Sequence, residues 1–360
     1  MALAVTSFLI PLALAESLLR LHSGPPPRLP PPTPYRRLTP RGPRLIPGAE
    51  VDFLFESTVQ PVRVAINSHG FRGPGLRRDP HSARILFLGD SVAFGYGVPQ
   101  ESTFVALLGK EWDRRSLAWE AVNGGVEDAG IVEERMLLED MGEAVSPSAV
   151  VVCFYANDSR PPVGFTQEFI LEDPVDRWLR THPQVLARSR LASFVHFRYR
   201  RLLTSLHLYR SSIPARFAWV DLWRSESWRE DTAVLDSLIT LARYDWGAAW
   251  QEESWALVER ELKRIRHWCI DHDVQLGVCY SPVQVEIEGP VRASTPAGVL
   301  ATLCDAQGIP FLDLRSALRG RERCFFDQCH YTPRGHRLVA MLLEEWLGVW
   351  HHKVVSPQRS

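Results

Sequence analysis

Four short stretches of this chain hold residue types that together could catalyse acyl transfer. In chain order they contain Ser91, Gly124 with Gly125, Asn157, and the pair Asp327 and His330. A serine hydroxyl becomes nucleophilic when a histidine takes its proton, and a carboxylate fixes the tautomer of that histidine and stabilises its cation. Backbone amides and a side-chain amide can stabilise the oxyanion that forms on the attacked carbonyl. The residue types therefore predict a serine nucleophile with its own base and oxyanion donors.

Apolar runs lie directly before these stretches and predict the strands that would position them. Residues 85–88 are four consecutive apolar residues that lead into Gly89, Asp90 and Ser91. Such a run is typical of a strand in a parallel sheet covered on both faces, and ligands bind at the carboxyl edge of that kind of sheet. Four further strands are predicted at residues 117–122, 149–155, 275–280 and 310–314.

Helical patterns alternate with the predicted strands. The predicted helices span residues 103–112 with Ser102 as the N-cap, 133–141, 255–271, 297–307 and 333–346. The last begins with a threonine followed by proline, a typical helix start. Strands that alternate with helices at this spacing indicate crossover connections. We therefore predict an α/β fold: a three-layer α/β/α sandwich with a doubly wound, flavodoxin-like five-stranded parallel sheet and a helical insertion.

The chain divides into four predicted segments. Residues 1–22 form an apolar anchor or signal segment, residues 23–48 a proline-rich tether outside any core, and residues 49–83 lead-in strands. Residues 84–350 form the main domain, with a helical cap insertion at about 160–253. The insertion is rich in tryptophan, which favours a packed cap beside the crevice over a sugar-binding platform.

The amino-terminal apolar run carries conflicting targeting signals. Residues 1–15 are short for a transmembrane helix and closer to the core of a signal peptide, and residues 13–15 offer a small-residue cleavage pattern. The arginines follow the run, which by the positive-inside rule would hold the body in the cytoplasm. A tether after an apolar run favours a run that stays in a membrane. We expect a membrane-anchored or exported protein.

Composition and cysteine spacing exclude several functions. The 360 residues are 45% hydrophobic and carry a formal net charge of -1, so no general basic surface for nucleic acid is expected. The six cysteines show neither a CxxC pair nor zinc-ligand spacing. We predict no metal and no cofactor. Cys329, next to His330, has no second set of ligands, so neither a metal-binding nor a nucleophilic role is expected for it. A Cys324–Cys329 disulfide would brace this loop if the domain is exported.

Taken together, the four stretches resemble the sequence blocks of the SGNH (GDSL-type) hydrolase family. The matches are Gly89-Asp90-Ser91, the glycines after Asn123, Asn157-Asp158, and Asp327 with His330 in the DxxH spacing. The resemblance covers roughly residues 67–347, and residues 67–72 resemble those of bacterial, membrane-tethered members. It departs at Tyr155, where the third block of the family usually has glycine. Ala93 breaks the G-x-S-x-G pattern, so the α/β-hydrolase fold is the weaker match.

This resemblance implies a role for each candidate residue. Ser91 would be the nucleophile, His330 the base and Asp327 the carboxylate that orients it. The oxyanion donors would be the amide of Ser91, the amide of Gly125 (or Gly124) and the side chain of Asn157. Asp90 is expected to brace the turn beside the nucleophile, and His336 to be structural.

The same resemblance implies a serine esterase that hydrolyses or transfers small O-acyl groups through an acyl-enzyme. Exported relatives point to acetyl esters on saccharides of a bacterial cell envelope, by analogy. A lipid-directed esterase or acyltransferase is the alternative within the class. A non-catalytic envelope binding or scaffold protein is the alternative outside it, and the complete set of candidate catalytic residues argues against it. The sequence leaves the oligomeric state open.

Overall fold

The described part of the chain falls into two compact units. The structure, a computed structural model, describes residues 2–22, 34–53, 55, 58, 61–77, 82–160, 189, 191–192, 194–195, 218–292 and 295–354. One unit comprises residues 1–33 and 165–215, and the other comprises residues 34–164 and 216–360. All candidate catalytic residues belong to the second unit.

The first unit contains helix α1 (Ala2–His22), which covers the predicted apolar segment. Glu16 of this helix accepts hydrogen bonds from Ser189 Oγ at 3.0 Å and from the backbone amide of Leu191 at 2.8 Å. Among the helices within the described ranges, none combines the length and the apolar character needed to cross a membrane. Tether residues 23–33 and most of residues 161–217 lie outside the described residues. Membrane attachment therefore stays a prediction.

The second unit begins with two antiparallel hairpins, here called the amino-terminal hairpins. Strands β1 (Arg36–Thr39) and β2 (Gly42–Leu45) form the first, and β3 (Glu50–Phe53) and β4 (Val62–Ala65) form the second. Tyr35 and Leu45 are buried in the main hydrophobic core. The prediction of a tether outside the core is therefore wrong for residues 34–48. The apolar surface that these side chains bury offsets the entropy lost when the segment becomes ordered.

Five parallel strands form the central sheet and confirm the predicted flavodoxin-like order. They are β5 (Ala83–Gly89), β6 (Trp119–Gly125), β7 (Ala149–Tyr155), β8 (Gln275–Ser281) and β9 (Phe311–Asp313). Their order across the sheet is β6-β5-β7-β8-β9, in which the chain order reverses between β5 and β7. All seven residues of β7 are buried, as expected for a central strand with both faces covered.

Helices pack on the sheet and complete the predicted three layers. They are α2 (Ser91–Phe94), α3 (Phe104–Arg114), α4 (Ile131–Val145), α5 (Val220–Arg224), α6 (Thr232–Leu241), α7 (Glu252–Asp271), α8 (Gln284–Glu288), α9 (Pro296–Ala306), α10 (Arg315–Leu318) and α11 (Pro333–Val354). Helix α3 connects β5 to β6, and α4 connects β6 to β7 in the opposite direction across the sheet. Because crossover connections are right-handed, these two helices lie on opposite faces of the sheet. In keeping with this, α11 packs with α3, and α7 packs with α4.

Several helix ends differ from the sequence prediction. Thr103, and not Ser102, caps α3, and its hydroxyl accepts a hydrogen bond from the backbone amide of Ala106 at 3.2 Å. Ser102 instead ends a short 3₁₀ turn, Gln100–Ser102. Helix α4 extends the predicted helix at both ends, and α11 continues past residue 346. Ser102 and Thr103 are adjacent and both residue types cap helices, so the sequence alone does not show which of them is the N-cap.

The described part of the insertion packs as core. Residues 218–253 contain α5, α6 and the 3₁₀ turns Ser227–Arg229 and Trp246–Trp250. Trp228 and Trp246 are fully buried within the same hydrophobic core as the sheet. These tryptophans are therefore packing residues. A cap formed by the part of the insertion before residue 218 stays a prediction, because most of that segment lies outside the described residues.

Candidate active site

Ser91, His330 and Asp327 form a hydrogen-bonded chain at the carboxyl edge of β5. His330 Nε2 lies 2.9 Å from Ser91 Oγ, and His330 Nδ1 lies 2.7 Å from Asp327 Oδ2. Asp327 Oδ1 accepts the backbone amides of Cys329 and His330 at 3.0 and 2.8 Å. The carboxylate thus fixes its own loop as well as the imidazole. With Nδ1–H donated to Asp327, Nε2 faces the serine hydroxyl as an acceptor.

A sharp turn from β5 into α2 presents Ser91 at the edge of the sheet. The fully buried Asp90 caps α2, because its Oδ1 accepts the backbone amide of Val92 at 2.8 Å. This confirms the predicted bracing role of Asp90. A Cβ atom at Gly89 would lie 2.6 Å from the Cβ of Ala93 and 3.0 Å from the carbonyl oxygen of Cys153. Only glycine leaves room for the turn to close against β7.

The charges around His330 favour its protonated form. Burial alone would lower the pKa of His330, but the charge and hydrogen bond of Asp327, with the charges of Asp90 and Glu127, raise it above its ordinary value. Burial likewise would raise the pKa of Asp327, and its interactions with His330 and the backbone amides lower it overall. Asp327 therefore stays ionised and stabilises an imidazolium at His330.

The predicted oxyanion donors are only partly brought together. Ser91 begins α2, and Asn157 lies in the 3₁₀ turn Ala156–Ser159 at the end of the adjacent strand β7. The side-chain amide of Asn157 is close enough to Asp90 to oppose the rise that burial causes in the pKa of that carboxyl group. The amide of Gly125, however, donates to Asn123 Oδ1 at 2.9 Å.

The structure thus corrects the prediction that Gly125 is an oxyanion donor. A Cβ atom at Gly125 would lie 2.1 Å from the backbone nitrogen of Phe94, so this glycine is needed for close packing of β6 against α2. Gly124, the other candidate, pairs with Leu88 inside the parallel sheet. Two adjacent glycines are typical of a loop whose backbone amides bind an anion. Here the absence of side chains instead lets β6 pack closely against α2 and β5.

Tyr96 is a part of the site that the sequence analysis missed. Its ring stacks on the imidazole of His330, with the ring centroids 4.3 Å apart and the planes inclined by 22°. Phe55, which follows β3, packs edge-on against Tyr96 at a centroid distance of 4.5 Å. The second amino-terminal hairpin therefore reaches the candidate base through two aromatic rings. The only signal in the sequence is an aromatic residue between two glycines.

Three buried carboxyl groups lie close to one another behind the turns that carry the site. Asp90, Glu134 and Asp158 are each at most 1% exposed. Burial raises the pKa of each, and mutual repulsion raises those of Glu134 and Asp158 further. Asp158 Oδ2 accepts the backbone amide of Tyr155 at 2.7 Å. Asp158 therefore braces the turn that presents Asn157.

Cys329 and His336 serve packing. Cys329 is buried, and burial raises the pKa of its thiol. Ligand atoms of Asp327, Cys329 and His330 lie within 4.8 Å of one another, but both imidazole nitrogens of His330 already lie within hydrogen-bonding distance of Asp327 and Ser91. His336 Nδ1 accepts the backbone amide of Phe104 at 3.2 Å, and burial lowers its pKa to about 3. The structural role predicted for His336 is confirmed.

Comparisons with known proteins return distant structural likenesses. No protein-family model and no curated protein matches the chain. Similar solved structures include a psychrotrophic esterase from Pseudoalteromonas sp., with 12% identity, a TM-score of 0.41 and coverage of 75% of this chain and 100% of that chain. A lipase/acylhydrolase from Enterococcus faecalis has 14% identity, a TM-score of 0.40 and coverage of 74% and 96%.

A third similar structure is a catalytic mutant of an acetylxylan esterase from Geobacillus stearothermophilus. Its identity is 13%, its TM-score is 0.41, and the match covers 76% of this chain and 97% of that chain. These proteins are esterases and acylhydrolases, the class that the sequence blocks resemble. The functional assignment of this chain rests on the residues of its own site.

Proposed function

We propose that the protein is a serine esterase of the SGNH type, with Ser91 as nucleophile, His330 as base and Asp327 as the carboxylate that orients it. The observation that carries this proposal is the hydrogen-bonded chain from Asp327 through His330 to Ser91. Residues 239 positions apart in sequence meet there at 2.9 Å, in the geometry that nucleophile and base require. A scaffold protein has no need of this arrangement.

The proposed reaction begins when Ser91 Oγ attacks an ester carbonyl while His330 Nε2 takes its proton. The charge that develops on the carbonyl oxygen is stabilised by the amide of Ser91 and the side chain of Asn157. His330 then returns the proton to the departing alcohol, which leaves an acyl group on Ser91. Water, or an acceptor alcohol in a transferase, releases that acyl group with His330 again as base.

We propose small O-acyl groups as substrates, in particular acetyl esters on saccharides of a bacterial cell envelope. The stacked ring of Tyr96 over His330 supports a small acyl group, because it occupies space beside the base. The saccharide and a membrane-anchored or exported location depend on the resemblance of the sequence blocks. A lipid-directed activity would appear as a preference for long acyl chains in an ester panel.

Hydrolysis of a short p-nitrophenyl ester by the wild type and by Ser91→Ala tests this proposal. The variant removes only the nucleophilic oxygen, and we expect its kcat to fall by about 10⁴-fold or more. A matched thermal melt shows that both proteins are folded. A variant as active as the wild type would refute the assignment, and an inactive wild type over a panel of short and long esters would refute esterase activity.

A further inference from the structure

The turn after β6 has a fixed backbone geometry that places one peptide plane in a defined orientation. The backbone amide of Ala129 donates to the carbonyl of Val126 at 3.0 Å, and Asp128 has a φ of 63°. Glu127, the second residue of this turn, does not have a positive φ, so the hydrogen-bonded turn is of type II and not of type I′. Because the peptide unit between Glu127 and Asp128 is planar and trans, its carbonyl and its N–H point in opposite directions.

Arg36 of β1 holds the carbonyl side of this peptide. Its Nη1 donates to the carbonyl oxygen of Glu127 and also lies 2.8 Å from Asp128 Oδ2. The N–H of Asp128 therefore points away from Arg36. Arg160, which follows the Asn157 turn and is 2% exposed, donates its Nη2 to the carbonyl of Asp128 at 2.8 Å. Two arginines from distant parts of the chain thus fix consecutive carbonyls.

The turn lies next to the reacting groups. The fully buried Tyr35 donates its hydroxyl to Glu127 Oε1 at 2.5 Å, and the charge of Glu127 is among those that raise the pKa of His330. The end of β6 packs against α2, the helix that begins with Ser91, and the amide of Val126 donates to the carbonyl of Gly89 at 2.9 Å. A donor at this turn would therefore lie at the same carboxyl edge of the sheet as the nucleophile.

We propose that Arg36 is a positioning residue: it orients the Glu127–Asp128 peptide so that the backbone N–H of Asp128 faces the oxyanion, in the place predicted for Gly125. This inference rests on the proposed esterase function. The amino-terminal hairpin is then part of the catalytic apparatus. Arg36 does not touch the substrate, and its effect passes through the backbone that it holds.

The alternative is that Arg36 merely attaches the hairpin to the domain, and Arg44 offers a matched control. Arg44 lies on β2 of the same hairpin, and its Nη2 donates to Asp140 Oδ2 at 2.8 Å on α4. Its side chain is 13% exposed and that of Arg36 is 18% exposed. Both arginines thus pair with an aspartate of the main domain, but only Arg36 contacts the turn after β6.

The experiment measures kcat, KM and the melting temperature of Arg36→Gln, Arg36→Lys and Arg44→Gln on a short p-nitrophenyl ester. We expect kcat of Arg36→Gln to fall by about tenfold to 100-fold with little change in KM, because an oxyanion contact forms only in the transition state. Arg36→Lys, which keeps the charge and one donor, should be intermediate. Arg44→Gln should keep the wild-type kcat whatever its melting temperature.

Equal losses of kcat in Arg36→Gln and Arg44→Gln, or a wild-type kcat in a folded Arg36→Gln, would overturn the positioning role. If Arg36→Gln does not fold, Arg36→Lys decides: a lower kcat at unchanged KM supports the role, and a wild-type kcat contradicts it. Failure of the esterase proposal itself has a different signature, namely no difference between the wild type and Ser91→Ala. The two failures are therefore distinguishable in one set of assays.

Discussion

The catalytic loops and the amino-terminal hairpins meet at the carboxyl edge of the central sheet, but the sequence specifies them in different ways. Asp327 and His330 are three residues apart and pair within one loop. Tyr35 and Glu127, in contrast, are 92 residues apart and meet only in the folded chain. Catalytic residues that lie close together in sequence form a pattern that can be recognised there. The contacts that support these residues join segments far apart in sequence, so no local pattern predicts them.

The difference also shows in what each region contributes. The catalytic loops supply the groups that exchange protons, and α2 and the DxxH loop fix these groups through their own backbone amides. The hairpins supply packing and orientation, through Phe55 behind Tyr96 and through Arg36 on the turn after β6. The lesson is that a catalytic motif can be complete in sequence while a supporting residue, Arg36, lies in a segment whose composition predicts a tether.

Truncation of the amino terminus should have the largest effect and tests whether the first hairpin supports the catalytic loops. Removal of residues 1–33 leaves the second unit complete, so we expect a folded and active protein. Removal of residues 1–47 also deletes Tyr35, Arg36 and Leu45 and exposes the core that they cover. We expect loss of folding or of nearly all activity in this shorter protein, measured by circular dichroism and ester hydrolysis. An active protein without residues 1–47 would show that the first hairpin is dispensable.

Sequence reasoning succeeded where apolar runs and short-range spacing decide the structure. The predicted strand at residues 149–155 agrees with β7 at both ends, and the predicted triad residues Ser91, Asp327 and His330 lie together. It did not succeed where packing decides. The prolines before Tyr35 predicted an extended tether where the chain forms a buried hairpin. The glycine pair predicted an oxyanion donor, whereas Gly125 is needed for close contact with α2.

The pH dependence of kcat/KM tests the pairing of His330 with Asp327 in the catalytic loop. Only neutral His330 acts as a base, so activity should rise with pH, and the midpoint should lie above about 6.5 because the surroundings raise the pKa of His330. Asp327→Asn removes the charge that contributes most to that rise. Its midpoint should therefore move to lower pH, while its kcat falls by up to about 10⁴-fold. An unchanged midpoint in Asp327→Asn would contradict the pairing.

The smallest expected effect concerns Tyr96, the ring through which the second hairpin reaches His330. Tyr96→Ala removes the ring that stacks on His330, and such contacts contribute about 0.5–1.5 kcal/mol. We expect a fall in kcat of about twofold to tenfold, with Tyr96→Phe close to the wild type because it retains the ring. Steady-state kinetics on the short ester measure both variants. A large loss in Tyr96→Phe would show that the hydroxyl, rather than the stacked ring, has the functional role.

The central claim is that Ser91 forms a covalent acyl-enzyme with His330 as its base. Its most direct test is a fluorophosphonate adduct, mapped by mass spectrometry of the digested protein, because the probe bonds covalently only to an activated nucleophile. We predict one adduct, on the peptide that contains Ser91, with labelling strongly reduced in His330→Ala and absent in Ser91→Ala. An adduct on another residue, or equal labelling of Ser91→Ala and the wild type, would contradict the account.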